Sequence, residues 1–196
     1  INNQDKQEVQ LYRLSLLFCS IASCLCLAQW IFIGPSYAWI WLILMSIGLG
    51  SSLKWIHIYL VPLHKALQIL WGVGFTGIII LLIKVGSVNL LSTIANKPIW
   101  LIAIGPIFAS LTGLGFKEFF CFRRPEAIGL TLFIPIALLG HISTFLGRGI
   151  VMSLLIISSL LLVILAFRKL GNDAAADIGD KSIFEYLAKK ETPSTT

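Results

Sequence analysis

The sequence is short of charge, and above all of acids. Only 12% of its 196 residues are charged, against about 25% in ordinary soluble domains. Between Glu8 and Asp173 the only carboxylates are Glu118 and Glu126. Catalytic signatures are missing as well: there is no G-x-S-x-G, no H-E-x-x-H, no phosphate-binding P-loop and no set of histidine-rich boxes. The long apolar runs contain no acid, which argues against a proton-coupled carrier built on buried carboxylates. These absences point away from catalysis and active transport.

What is present is hydrocarbon. The chain is 57% hydrophobic, with a mean hydropathy of +0.91, so it reads as an integral membrane protein whose first partner is the lipid bilayer. A membrane-spanning helix needs about 20 mostly apolar residues, and six such stretches use most of the chain. The expected fold is all-α: a six-helix transmembrane bundle over residues 1–169 and a polar C-terminal tail over 170–196. The polar opening Asn2 to Gln10 does not resemble a signal peptide, so the first apolar run reads as a retained helix. The net charge of +6 comes from cations dispersed among the loops. They form no single basic stripe, which excludes a nucleic-acid partner.

Turn signals divide the spans. The first runs from Leu11 to Ile33 and stops at Gly34-Pro35, the second from Tyr37 to Gly50, and the third from Ala66 to Ile83. Pro98 is suited to a first helical position and opens the fourth, which reaches Phe116. The fifth covers Ala127 to Leu146, and Gly147-Arg148-Gly149 turns into the sixth, Ile150 to Phe167. Gly72, Gly74 and Gly77 offer small-residue contacts for close packing in lipid. In the tail, Ser182-Ile183-Phe184-Glu185 has the form of a capping box and predicts a short amphipathic helix. With six spans, Lys and Arg divide 12 to 3 between the two sides, which predicts both termini in the cytoplasm. A faint internal echo links Gly48-Leu49-Gly50, Lys54 and Pro62 with Gly113-Leu114-Gly115, Lys117 and Pro125, as in duplicated hairpins.

The densest chemistry lies in Lys117-Glu118-Phe119-Phe120-Cys121-Phe122-Arg123-Arg124-Pro125-Glu126, which reads as a loop. Lys117, Glu118, Cys121, Arg123, Arg124 and Glu126 form a candidate surface for a lipid head group or for an extrinsic loop of another membrane protein. The bland alternative is that the cations mark the membrane boundary, the phenylalanines anchor at the interface and the acids neutralise their neighbours. Flanking cations favour a reactive thiolate at Cys121. Cys19, Cys24 and Cys26 sit within one apolar run and read as reduced packing residues rather than a disulfide framework. His141 within a span, and His57 and His64 near its edge, are candidate ligands for the metal of chlorophyll or another tetrapyrrole. The simpler reading is a hydrogen bond to a neighbouring helix for His141 and an ordinary interfacial position for His57 and His64. No cluster with metal-ligand spacing is found.

The run Gly113-Leu114-Gly115-Phe116-Lys117-Glu118, with Cys121-Phe122 and Arg124-Pro125-Glu126-Ala127, resembles the signature of a family of uncharacterised integral membrane proteins of cyanobacteria and chloroplasts. The resemblance implies a thylakoid setting and an auxiliary part in building or maintaining photosystem complexes. It supplies no catalytic residue. The expected function is therefore a non-enzymatic accessory or assembly factor that docks on other membrane proteins, photosystem subunits among them. Its rivals are a small-solute channel or facilitator, and a membrane enzyme acting on lipid head groups with Glu118, Glu126 and His57 as acid or base groups.

Overall fold

The computed structural model describes residues 2–58, 61–173 and Asp177. Among them the chain is all-helical, as a membrane solvent demands, since apolar surroundings leave backbone N–H and C=O groups no partners but each other. The helices are α1 (Asn3–Phe32), α2 (Trp39–Trp55), α3 (Val61–Val85), α4 (Leu90–Asn96), α5 (Leu101–Phe122), α6 (Pro125–Ile142) and α7 (Arg148–Leu170). A 3-10 turn, Pro98–Trp100, leads into α5. By length and composition, α1, α3, α5 with its preceding turn, α6 and α7 are able to cross a membrane, while α2 is apolar but shorter, at 17 residues. The capping-box helix expected around Ser182 lies outside the described residues.

Several boundaries differ from the sequence-based expectation. α2 continues past Gly50 to Trp55, and its carbonyl ladder ends only where Ile56 turns extended. A short helix, α4, fills the connection expected to be mostly loop. α6 ends at Ile142 rather than Leu146 because Thr144 takes a left-handed conformation, φ 56°. The largest correction concerns Lys117 to Glu126. Lys117–Phe122 are the last turns of α5, not a loop, since nothing from Gly115 to Phe122 breaks a helix. The break falls at Arg123, which is left-handed at φ 50° and ψ 37°. Arg124 is extended, as the residue before a proline must be, and Pro125 opens α6.

The six long helices form a closed ring. α1 packs on α2, α2 on α3, α3 on α5, α5 on α6, α6 on α7, and α7 returns to α1. α1 and α2 run antiparallel: Cys26 Sγ donates to the Ala38 carbonyl near the turn, the Cys19 backbone lies against Gly48, and Glu8 meets His57 beyond the end of α2. Glycine decides the α3–α5 contact. A Cβ on Gly77 would collide with the Ala103 carbonyl, and one on Gly74 would stand 2.6 Å from the Ile107 backbone nitrogen. Gly72, expected to share this role, has nothing within 4 Å of its Cβ position and takes no part.

Candidate functional site

The chemistry-bearing residues gather at the end of the ring where α5 turns into α6. Glu118 lies three helical positions after Gly115, on the inward face of α5, and is completely buried. The expectation of acid-free spans therefore fails at Glu118, because α5 extends two turns beyond its predicted end. Three donors hold the carboxylate. Tyr12 Oη of α1 donates to Oε1 at 2.7 Å, Lys117 Nζ to the same oxygen at 3.0 Å, and Lys169 Nζ of α7 to Oε2 at 2.7 Å.

Lys169 is itself completely buried and bridges two acids, with Asp177 Oδ1 2.6 Å from its Nζ. Its ammonium also lies 4.5 Å from the Phe122 ring centroid and 4.9 Å from that of Tyr12, within the range of favourable cation–π contact. Arg13 closes the cluster from α1. Its guanidinium meets Asp177 Oδ2 at 2.6 Å and donates to the carbonyls of Asn172 and Asp173 at 2.8 and 3.0 Å. Arg13 thus brings the start of α1 and the chain just after α7 to the same end of the ring.

A second group adjoins the first. Glu126, in the first turn of α6, pairs with Arg168 of α7 at 2.9 Å and with Arg124 at 3.5 Å. Arg124 stacks its guanidinium carbon 5.9 Å from the Phe122 ring. Acids buried with this many cations are committed to neutralising them, because an unpaired charge in such a place costs several kcal/mol. Both glutamate side chains are buried and ion-paired, and Glu126 Oε1 has its Arg124 partner only at 3.5 Å. The groups left outside the cluster are Phe120, Cys121 and Arg123, all exposed, with Phe120 at 77%.

A model of an uncharacterized integral membrane protein family, DUF2301, matches residues 51–186. The chain belongs to that family. No curated protein and no solved structure matches it. Within the part matched by DUF2301 lie Lys117, Glu118, Glu126, Arg168, Lys169 and Asp177, whereas Tyr12 and Arg13 precede it. The matched part therefore carries all three acids and Lys169, which bridges Glu118 and Asp177, and α1 adds a phenol and a guanidinium.

Of the residues singled out by sequence, Lys117, Glu118, Arg124 and Glu126 come together here. Tyr12, Arg13, Lys169 and Asp177 join them, and the sequence singles out none of the four as a site residue: Arg13 and Lys169 read as boundary cations, and a lone tyrosine gives no sign of its partner. The one available signal was the rule that an ionisable group near a span has a named partner. The histidines stand apart from the cluster and from one another. His57 Nε2 lies 3.3 Å from Glu8 Oε2. His64 Nε2 donates to the Leu53 carbonyl at 2.6 Å, and His141 Nε2 to the Ile94 carbonyl at 3.3 Å. Gln68 Nε2 also lies 3.1 Å from His64 Nε2. Among the described residues no three His, Cys, Asp or Glu side chains are grouped to hold a metal.

The ring also holds a partly open pocket of about 290 Å³, whose lining residues are separate from the charged cluster. Its walls come from α1, α2, α5, α6 and α7, and α4 covers one end with Leu91, Ile94 and Ala95. Between cavity and cluster lies a layer formed by Leu16, Cys19, Leu114, Ala127, Leu165 and Ala166, all fully buried.

Proposed function

We propose that this protein is a non-enzymatic membrane accessory factor that docks on other membrane proteins through the α5–α6 corner. The observation that carries the reading is the contrast within that corner. Glu118, Phe122, Arg124 and Glu126 are tied into the bundle, while Phe120, Cys121 and Arg123 project from it. A rigid base presenting an aromatic and an arginine is the arrangement that makes interface hot spots, because little entropy is lost on binding. The thylakoid and photosystem setting rests on the resemblance to cyanobacterial and chloroplast proteins.

In this reading all six long helices cross the bilayer, α2 included, with both termini on the cytoplasmic side. Support for the sixth crossing comes from α1: the residues met by α2 and by the segment just after it run from Gln29 back to Glu8, about 30 Å of helix at 1.5 Å per residue. That is the thickness of a hydrocarbon core. The cytoplasmic placement follows the 12 to 3 bias of basic residues. The rival readings draw less support. A head-group enzyme needs Glu118 and Glu126 accessible, and both are buried in ion pairs; a channel needs a polar path, and the layer between pocket and cluster is formed by buried apolar side chains.

The test is affinity isolation of the full chain from native membranes, comparing wild type with the Phe120→Ala, Arg123→Glu double variant. Wild type is expected to bring down a membrane-protein partner that the variant loses, with both variants present at equal levels. Isolation of the wild-type protein alone, or retention of the partner by the variant, overturns the proposal.

A further inference from the structure

The apolar cavity inside the ring is independent of the docking corner and of everything proposed for it. Its size, about 290 Å³, sits at the lower edge of ordinary small-molecule pockets, which run from about 300 to 1,000 Å³. The lining is almost wholly hydrocarbon, from residues such as Leu42, Met45, Ile104, Leu130 and Ile134. The hydroxyls that reach it are already satisfied: Ser23 and Ser159 bond each other at 2.6 Å, and Ser158 donates to the Leu154 carbonyl. An apolar lining of this kind repels water and favours an apolar guest.

One end is different. Arg148, at the first position of α7, and His141, near the end of α6, both line the cavity there. Arg148 is exposed and donates one hydrogen bond, 3.1 Å, to Asn96 Oδ1 beside α4. A guanidinium has five donors, so most of its capacity remains for a ligand. The protein offers it no acid: among the described residues the carboxylates paired in the bundle, Glu8, Glu118, Glu126 and Asp177, all belong to the opposite end. His141 Nε2 is already engaged by the Ile94 carbonyl at 3.3 Å.

We infer that this cavity binds a single-chain anionic amphiphile, a long-chain fatty acid, with its alkyl chain between the helices and its carboxylate on Arg148. The apolar layer below Leu111 and Leu130 forms the floor against which the chain ends. The volume is on the scale of one alkyl chain. The bidentate geometry of guanidinium and carboxylate explains why the charged group at the mouth is an arginine.

The experiment uses the full chain purified in a non-ionic detergent and the fluorescent probe 11-(dansylamino)undecanoic acid. Saturable binding of one probe per chain is expected, with displacement by palmitate and far weaker displacement by hexadecanol. Arg148→Gln, at an exposed position, is expected to weaken probe and palmitate by about tenfold and to leave hexadecanol unchanged. Ala95→Phe fills the cavity from α4 and is expected to abolish binding while thermal unfolding still shows a cooperative fold. Should Ala95→Phe not fold, Met152→Trp fills the same space from α7. Non-saturable partitioning, equal displacement by hexadecanol or by dioleoylphosphatidylglycerol, or binding unchanged in Arg148→Gln and in a folded cavity-filling variant overturns the inference.

Discussion

Tyr12 donates a hydrogen bond of 2.7 Å to Glu118, joining the first and fifth helices across 106 residues of sequence. The same carboxylate holds Lys169 of the last helix, so one side chain ties together three of the six helices in the ring. The pairing has a directional consequence for mutation. Removing the hydroxyl leaves a neutral ring beside a carboxylate that keeps two lysines. Removing the carboxylate takes the counter-charge from buried Lys117 and leaves buried Lys169 with Asp177 alone.

Tyr12→Phe is therefore expected to cost about 1 kcal/mol, the net worth of an ordinary hydrogen bond. Glu118→Ala is expected to cost about 3–5 kcal/mol, the range for breaking a buried ion pair from one side. Thermal unfolding of the purified protein in detergent checks both. Equal losses for the two variants would contradict the ordering.

Arg13 binds two carbonyls after α7 and the Asp177 carboxylate. Arg13→Ala is expected to release the chain from Asn172 onward while leaving the helical ring folded. Limited proteolysis reads this directly: cleavage after α7 accelerates by about tenfold or more if about 1.4 kcal/mol or more of anchoring is lost, and the fragment covering the ring persists. An unchanged cleavage rate would show that Asp177 is held mainly by Lys169.

Two glycines of α3 make opposite predictions. Gly77→Ala drives a methyl group into the Ala103 carbonyl and is expected to destabilise by about 1–3 kcal/mol, as overpacking does. Gly72→Ala meets open space and is expected to be neutral or to stabilise by up to about 1 kcal/mol through helix propensity. Paired melting curves measure the difference.

The cysteines report the sides of the membrane. Cys121 is exposed at the α5–α6 corner, and Cys19 is buried against α2. A membrane-impermeant maleimide added from the cytoplasmic side is expected to label Cys121 rapidly and Cys19 only after denaturation. Labelling of Cys121 from the opposite side alone would reverse the proposed orientation.

What the sequence determined is the solvent and the elements. Low charge, long apolar runs and turn signals at Gly34-Pro35 and Gly147-Arg148-Gly149 are local properties, and they specify a helical membrane protein with helices close to those observed. The family relationship was legible too, from the residues around Gly113 and Pro125, and Glu118 and Glu126 stood out because acids near a span are rare. Where α5 stops was not legible: the charges from Lys117 onward look like a boundary, and only burial against α1 and α7 makes two further helical turns worthwhile. Partner choice was out of reach for the same reason. Tyr12, Arg13, Lys169 and Asp177 meet Glu118 or each other because the ring closes α7 onto α1, and the cavity exists because α4 folds over one end of that ring. Contacts between residues 50 to 160 positions apart depend on how the helices are arranged around one another, a property of the tertiary structure that no local pattern of residues encodes.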